Sequence, residues 1–152
     1  MGRICVVLAV ALALPATALA KGAERVRIVG PGLAKPIVIV NDGGDDGWAL
    51  LRALTDDSGF YNAIFKTRPD FTRRHRPPGR LGVAYTATYR LVAPAKPYPV
   101  VRQLLYPFAT PRPLAYVAPG QPIASRQRTH GGWIVADSHL RTLLVSLGVP
   151  RR

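Results

Sequence analysis

The sequence predicts an α+β domain: a small, mostly antiparallel β-sheet with a C-terminal amphipathic helix and one short helix. Two observations carry that prediction. Leu81–Leu91, LGVAYTATYRL, sets apolar Leu81, Val83, Tyr85, Ala87, Tyr89 and Leu91 two residues apart, the period of a strand with one buried face. Leu140, Leu143, Leu144 and Leu147 fall instead at i, i+3, i+4 and i+7, the single apolar stripe of a helix. The competing architecture is a β-sandwich, and the state of Trp48–Leu54 separates the two.

The chain opens with Arg3, an uncharged run from Ile4 to Leu14, Pro15, and then Ala18-Leu19-Ala20. A positive start, an apolar run of about ten residues and an A-x-A end describe a secretory signal peptide cleaved after Ala20. A spanning helix needs about 20 apolar residues, more than Pro15 and Lys21 leave room for. No transmembrane span is therefore expected after cleavage. Cys5 is the only cysteine and lies inside this segment, so residues 21–152 form a cysteine-free mature chain without a disulfide. Its stability must come from a packed core, and a chain of this length buries roughly two-thirds of its unfolded surface in one domain.

In that domain Ala23–Val29 alternates Val26 and Ile28 with charge and reads as a strand. Gly30-Pro31-Gly32 is a turn. Lys35–Val40 ends in four consecutive β-branched residues, Ile37–Val40, a pattern that suits a strand covered on both faces. These two strands form a hairpin or a corner between sheets. Asp45 or Asp46 is placed to N-cap a short helix through Trp48, Leu51 and Leu54. That helix should end at Asp56-Asp57-Ser58-Gly59, with Gly59 left-handed and the acidic end fraying against the dipole. Phe60–Phe65 is expected to enter the core as a short strand or extended segment. Val100–Phe108 reads as a strand ending at Pro107, Leu114–Val117 as its antiparallel return, and Trp133–Ala136 as a last short strand. Asp137 caps the final helix, Gly148 ends it, Val149 folds back on Leu144, and Pro150 forbids continuation.

Charge is one-sided. Lys and Arg number 21 against 8 Asp and Glu, and loss of Arg3 with the signal leaves a formal +12. Such a surplus attracts polyanions: a phosphate-bearing wall polymer, anionic lipid headgroups or nucleic acid. No specific nucleic-acid motif is present. The surplus is densest in Lys66–Arg80, KTRPDFTRRHRPPGR, which has no apolar period and reads as an exposed loop. Lys66, Arg68, Arg73, Arg74, Arg76 and Arg80 are the candidate anion-binding residues, since guanidinium forks match phosphate oxygens.

Other chemistries fare less well. Without cysteine the mature chain excludes thiol catalysis and Cys–zinc ligation. Its only Glu is Glu24, at the mature N-terminus. The acidic stretch Asn41–Asp46 fails the calcium-loop spacing, because counting from Asp42 puts Gly44 third and Ala53 twelfth. Asp137-Ser138-His139 supplies triad residue types, but adjacent positions on one helical turn do not face each other. A small secreted hydrolase with a dispersed site around His130, Asp137 and His139 is the alternative function, while His75 lies in the basic loop. No catalytic residue, metal or cofactor is assigned. Tyr85 and Tyr89 share a face with Val83 and read as core residues with their hydroxyls at the rim. An exposed sheet edge that pairs with a partner strand is a third route to binding.

Val101-Arg102-Gln103, Tyr106-Pro107, Pro119-Gly120-Gln121 and Gly131-Gly132-Trp133 lie in a C-terminal half, Leu81–Pro150, that resembles small secreted proteins of high-GC Gram-positive bacteria. That resemblance implies export and a single domain, and it carries over no functional residue.

Overall fold

Side chains of a strand alternate between its two faces, and six segments of this chain turn one face toward a shared core. In the computed structural model, which describes residues 22–93, 96–124 and 126–151, they are β1 (Ala23–Val29), β2 (Ile37–Val40), β3 (Tyr85–Leu91), β4 (Val100–Tyr106), β5 (Leu114–Val117) and β6 (Gly132–Val135). They pair antiparallel throughout, in the order β2-β1-β3-β4-β5-β6. Three helices accompany them: α1 (Asp45–Asp57), α2 (Phe60–Ile64) and α3 (His139–Ser146). The fold is α+β, and the segment Trp48–Leu54 that was to decide against a sandwich is helical. The expected signal, residues 1–20, lies outside the described residues.

The core forms between one face of the sheet and the helices. Val26, Ile28, Ile39, Tyr85, Ala87, Tyr89, Leu91, Val101, Leu105, Ala115, Val117 and Ile134 face Leu51, Leu54, Phe60, Ala63, Ile64, Leu140 and Leu144 in one buried cluster. Each larger side chain there contributes about 1.5–3 kcal/mol by leaving water. Phe60 stacks on Tyr89 with ring centroids 3.9 Å apart.

One polar residue interrupts this face. Gln103 is fully buried; its Oε1 accepts from the Tyr89 hydroxyl at 3.1 Å, and its Nε2 donates to the Ser58 carbonyl at 3.1 Å. The Tyr89 hydroxyl is thus deep inside rather than at the rim, and burial pushes its pKa up. The Tyr85 hydroxyl does reach a partly buried position, donating to the Pro31 carbonyl at 3.2 Å.

Several local expectations are corrected. Phe60–Phe65 is not extended: α2 occupies Phe60–Ile64, with Phe60, Ala63 and Ile64 buried at i, i+3 and i+4. Gly59, at φ 63, ends α1 in the left-handed region as expected, but it also starts α2 immediately. β2 is covered on one face only, because the helices cover one side of the sheet: Ile39 is buried, while Val38 and Val40 are 43% and 40% exposed. The N-cap of α1 is Gly44, whose N–H donates to Asp42 Oδ1 at 3.1 Å; Asp45 and Asp46 sit in the first turn and complement the dipole from there. Trp48 lies half exposed with the Arg52 guanidinium 5.1 Å above its ring. The acidic end of α1 is tied down, since the Asp57 carbonyl accepts the Asp137 N–H at 2.8 Å and its carboxylate lies 2.7 Å from His139 Nδ1. β3 begins at Tyr85, four residues later than the alternation suggested.

The C-terminal helix matches its sequence signals. Asp137 Oδ1 accepts the His139 N–H at 2.8 Å. At the other end Gly148, at φ 105, donates to the Val145 carbonyl and Val149 to the Leu144 carbonyl, closing the helix with Val149 buried.

Gln103→Leu removes the partners of the Tyr89 hydroxyl and the Ser58 carbonyl, which costs roughly 1–3 kcal/mol for each orphaned group. Adding Tyr89→Phe is expected to recover part of that loss, because one orphan disappears. Denaturant melts of the single and double variants check this; equal midpoints for wild type and Gln103→Leu would show that the bridge is not needed.

Candidate anion-binding surface

The basic loop is exposed but anchored. Lys66, Arg68, Arg73, Arg74, Arg76 and Arg80 all face solvent. Backbone bonds join Arg73 to Trp133 in both directions, at 2.7 and 2.8 Å, and the Thr110 N–H donates to the Arg80 carbonyl at 2.9 Å. Pro77 is buried between these anchors. The loop's only carboxylate, Asp70, is engaged elsewhere: Oδ1 accepts the Thr72 N–H and hydroxyl at 2.9 and 2.7 Å, and Oδ2 lies 2.9 Å from His130 Nε2. These bonds, those from Thr72 foremost, hold the Asp70 pKa at about 2, down from 3.8. Among the described residues none of the six loop cations forms an ion pair; the pairs are Arg52–Asp56, Arg90–Glu24, His130–Asp70 and His139–Asp57.

A second group of cations lies on the sheet. Residues opposite one another in adjoining strands share a face. On the face turned away from the helices the register makes rows: Val40–Arg25–Arg90–Val100, then Val38–Arg27–Thr88–Arg102, then Val29–Thr86–Leu104–Tyr116–Trp133. Toward β5 and β6 this face packs on itself. Tyr106, Ala109 and Leu114 are buried there with Leu81, Ala84, Leu104, Tyr116, Trp133 and Val135 around them. The Trp133 ring lies 4.8 Å from Tyr116 and 5.7 Å from Tyr106. Toward β2 it is open, with Arg25, Arg27, Arg90 and Arg102 exposed. Arg90 pairs with Glu24. Arg102, where β5 has ended, has its backbone N–H and carbonyl held instead by the Gln121 carboxamide at 2.8 and 2.9 Å.

Two loop cations join this side. Arg73 is paired with Trp133, and Arg76 lies close enough to Tyr106 to oppose the burial that raises its phenol pKa. Lys66, Arg68, Arg74 and Arg80 are exposed on the loop without a comparable tie to the sheet face.

The histidines separate. His130 is bound to Asp70 and His139 to Asp57, while the Asp137 carboxylate is used on the His139 N–H, a bond that lowers its pKa. Among the described residues no three His, Asp or Glu side chains converge, so His130, Asp137 and His139 do not form one cluster. A recess of about 600 Å³ between Phe108, Arg141, Thr142, Val145, Ser146 and Arg151 holds no carboxylate or imidazole.

Sequence reasoning located the loop and missed the strand arginines. The signal for them was present: Arg25 and Arg27 alternate with Val26 and Ile28, and Arg102 with Val101 and Gln103. What was lacking was the register that places them side by side. Compared with known proteins, the chain matches no family model, no curated protein and no solved structure. Among the described residues no helix is long and apolar enough to cross a membrane.

Because the folded pKa of Asp70 is depressed, the stability linked to it is fully present above pH 3.8 and is lost as pH falls through about 2. Thr72→Val, which removes the hydroxyl donor, should raise the Asp70 midpoint toward 3.8 in a carboxyl-carbon NMR titration. His130→Ala should raise it less. An unmoved midpoint in Thr72→Val would remove the hydroxyl from the anchor.

Proposed function

We propose that this protein is an exported domain that binds an anionic polymer or surface of the cell envelope. The observation that carries the reading is the anchored loop Lys66–Arg80, whose six exposed cations have no ion-pair partner among the described residues and whose one carboxylate is spent on Thr72 and His130. An anchored loop presents its guanidinium groups at less cost in lost motion than a free one, and the forks suit phosphate oxygens. Export follows from the reading of residues 1–20 as a signal peptide. The hydrolase alternative around His130, Asp137 and His139 has less support, because each histidine engages a different aspartate and neither hydrogen-bonds a hydroxyl nucleophile among the described residues.

Binding of the purified protein to long-chain inorganic polyphosphate should weaken linearly in log affinity against log salt, as bound counterions are released. Arg73→Ala, Arg74→Ala and Arg76→Ala together should lower the slope by up to about three, one for each lost phosphate contact. A slope near zero, or one that the triple variant leaves unchanged, contradicts the proposal.

A further inference from the structure

Resting on that reading, we infer that the open half of the sheet, around Arg25, Arg27 and Arg102, is the docking surface, and that its occupant is the headgroup layer of an anionic membrane. Strands lie about 4.8 Å apart and alternate residues about 6.8 Å apart along a strand, so these cations occupy a patch on the order of 10 by 7 Å. With Arg90 they project from three adjoining strands of one sheet, β1, β3 and β4, rather than from a cleft, which suits a broad surface better than a small ligand. No acidic residue stands in these rows; Glu24, beside Arg25 in β1, pairs with Arg90, and among the described residues Arg25, Arg27 and Arg102 have no carboxylate partner. Asp42, Asp45 and Asp46 follow β2, but they lead into α1, which packs on the opposite face.

The valines decide between a membrane and a soluble polymer. Val38, Val40 and Val100 stand in the same rows as these arginines and are 43%, 40% and 44% exposed. Among the described residues they are three of the five large apolar side chains left exposed, the others being Trp48 and Phe71. A hydrophilic phosphate chain gains nothing from branched aliphatic groups. At a headgroup boundary the same groups leave water while the guanidinium groups reach the phosphates. The face does not suit stacked bases, since Tyr116 and Trp133 pack on each other. Nor does it suit a second copy of the chain, which would bring the same cations together.

The test uses flotation of the purified full chain with vesicles of phosphatidylglycerol and phosphatidylcholine, and with phosphatidylcholine alone, beside polyphosphate binding. Val38→Thr, Val40→Thr and Val100→Thr together keep the β-branched shape, and a shared melting midpoint with wild type shows the fold is retained. This variant is expected to lose about ten-fold in affinity for the anionic vesicles. Its polyphosphate affinity should stay within about two-fold of wild type. Arg27→Ser with Arg102→Ser should weaken vesicle binding at low salt, and phosphatidylcholine alone should bind neither protein. Wild-type vesicle binding by the valine variant overturns the membrane assignment. Vesicle binding lost only in the loop variant overturns the sheet face as the site while leaving the envelope reading in place. A wild-type protein that binds neither vesicles nor polyphosphate overturns both.

Discussion

A sheet that meets helices on one side only makes every strand serve two environments, and this constraint organises the protein. Along β1, β3 and β4 the residues that meet α1, α2 and α3 are apolar apart from Gln103, and those between them include Arg25, Arg27, Thr86, Thr88, Arg90 and Arg102. Shifting any of these strands by one residue would exchange the two sets. It would bring Arg25, Arg27 or Arg102 into a core without carboxylates to receive them, where an unpaired charge is far costlier than an exposed valine. The arginines therefore help hold the register from the outside, as the core does from within.

The second point of dependence is the short stretch Asp57-Ser58-Gly59, where α1 gives way to α2. Three successive residues there bind three different parts of the molecule. Asp57 receives the Asp137 N–H and faces His139, fixing the start of α3. The Ser58 carbonyl receives Gln103 from the middle of β4. Gly59 lies against Ile134 of β6 so closely that an added Cβ would come within 2.8 Å of its Cγ2 atom, and its left-handed backbone already disfavours a side chain. The buried amide of Gln103 reads differently once this is seen. Among the described residues it is the sheet's single side-chain hydrogen bond to the helix junction, fully satisfied, and so it specifies where α1 must end over β4.

Electrostatically the molecule divides its few acids from its many bases. Asp57, Asp70 and Asp137 are all used within the fold, on His139, Thr72 and His130, and the final helix. Glu24 answers one arginine. Other guanidinium groups sit on the loop and on the uncovered sheet face, and through Arg73 and Arg76 the loop reaches that face from the β6 side. Part of the arginine surplus is thus arranged by hydrogen-bonded strand register.

How much of this was readable beforehand depends on the range of the interactions involved. Caps, turns and side-chain periods act over a few residues, so β1, β5, the Gly59 stop and the closure of α3 at Gly148 and Val149 were legible from sequence. The miss at Phe60–Ile64 has the same scale: an aromatic, apolar run has no period of its own when it is five residues long, and only the left-handed Gly59 beside it made a second helix possible. β2 was misjudged because four β-branched residues look alike whether a neighbour covers one face or two. By itself, then, the sequence determined the α+β class, the one-faced strands, the final helix and the excess of positive charge, because each is written in local spacing or composition. Only the tertiary structure decided that His130 and His139 go to separate aspartates, that Gln103 meets Ser58 across 45 residues, and that arginines from β1, β3 and β4 form one surface. Those are pairings between distant segments, and which segments meet is settled by the packing of the whole sheet against its helices.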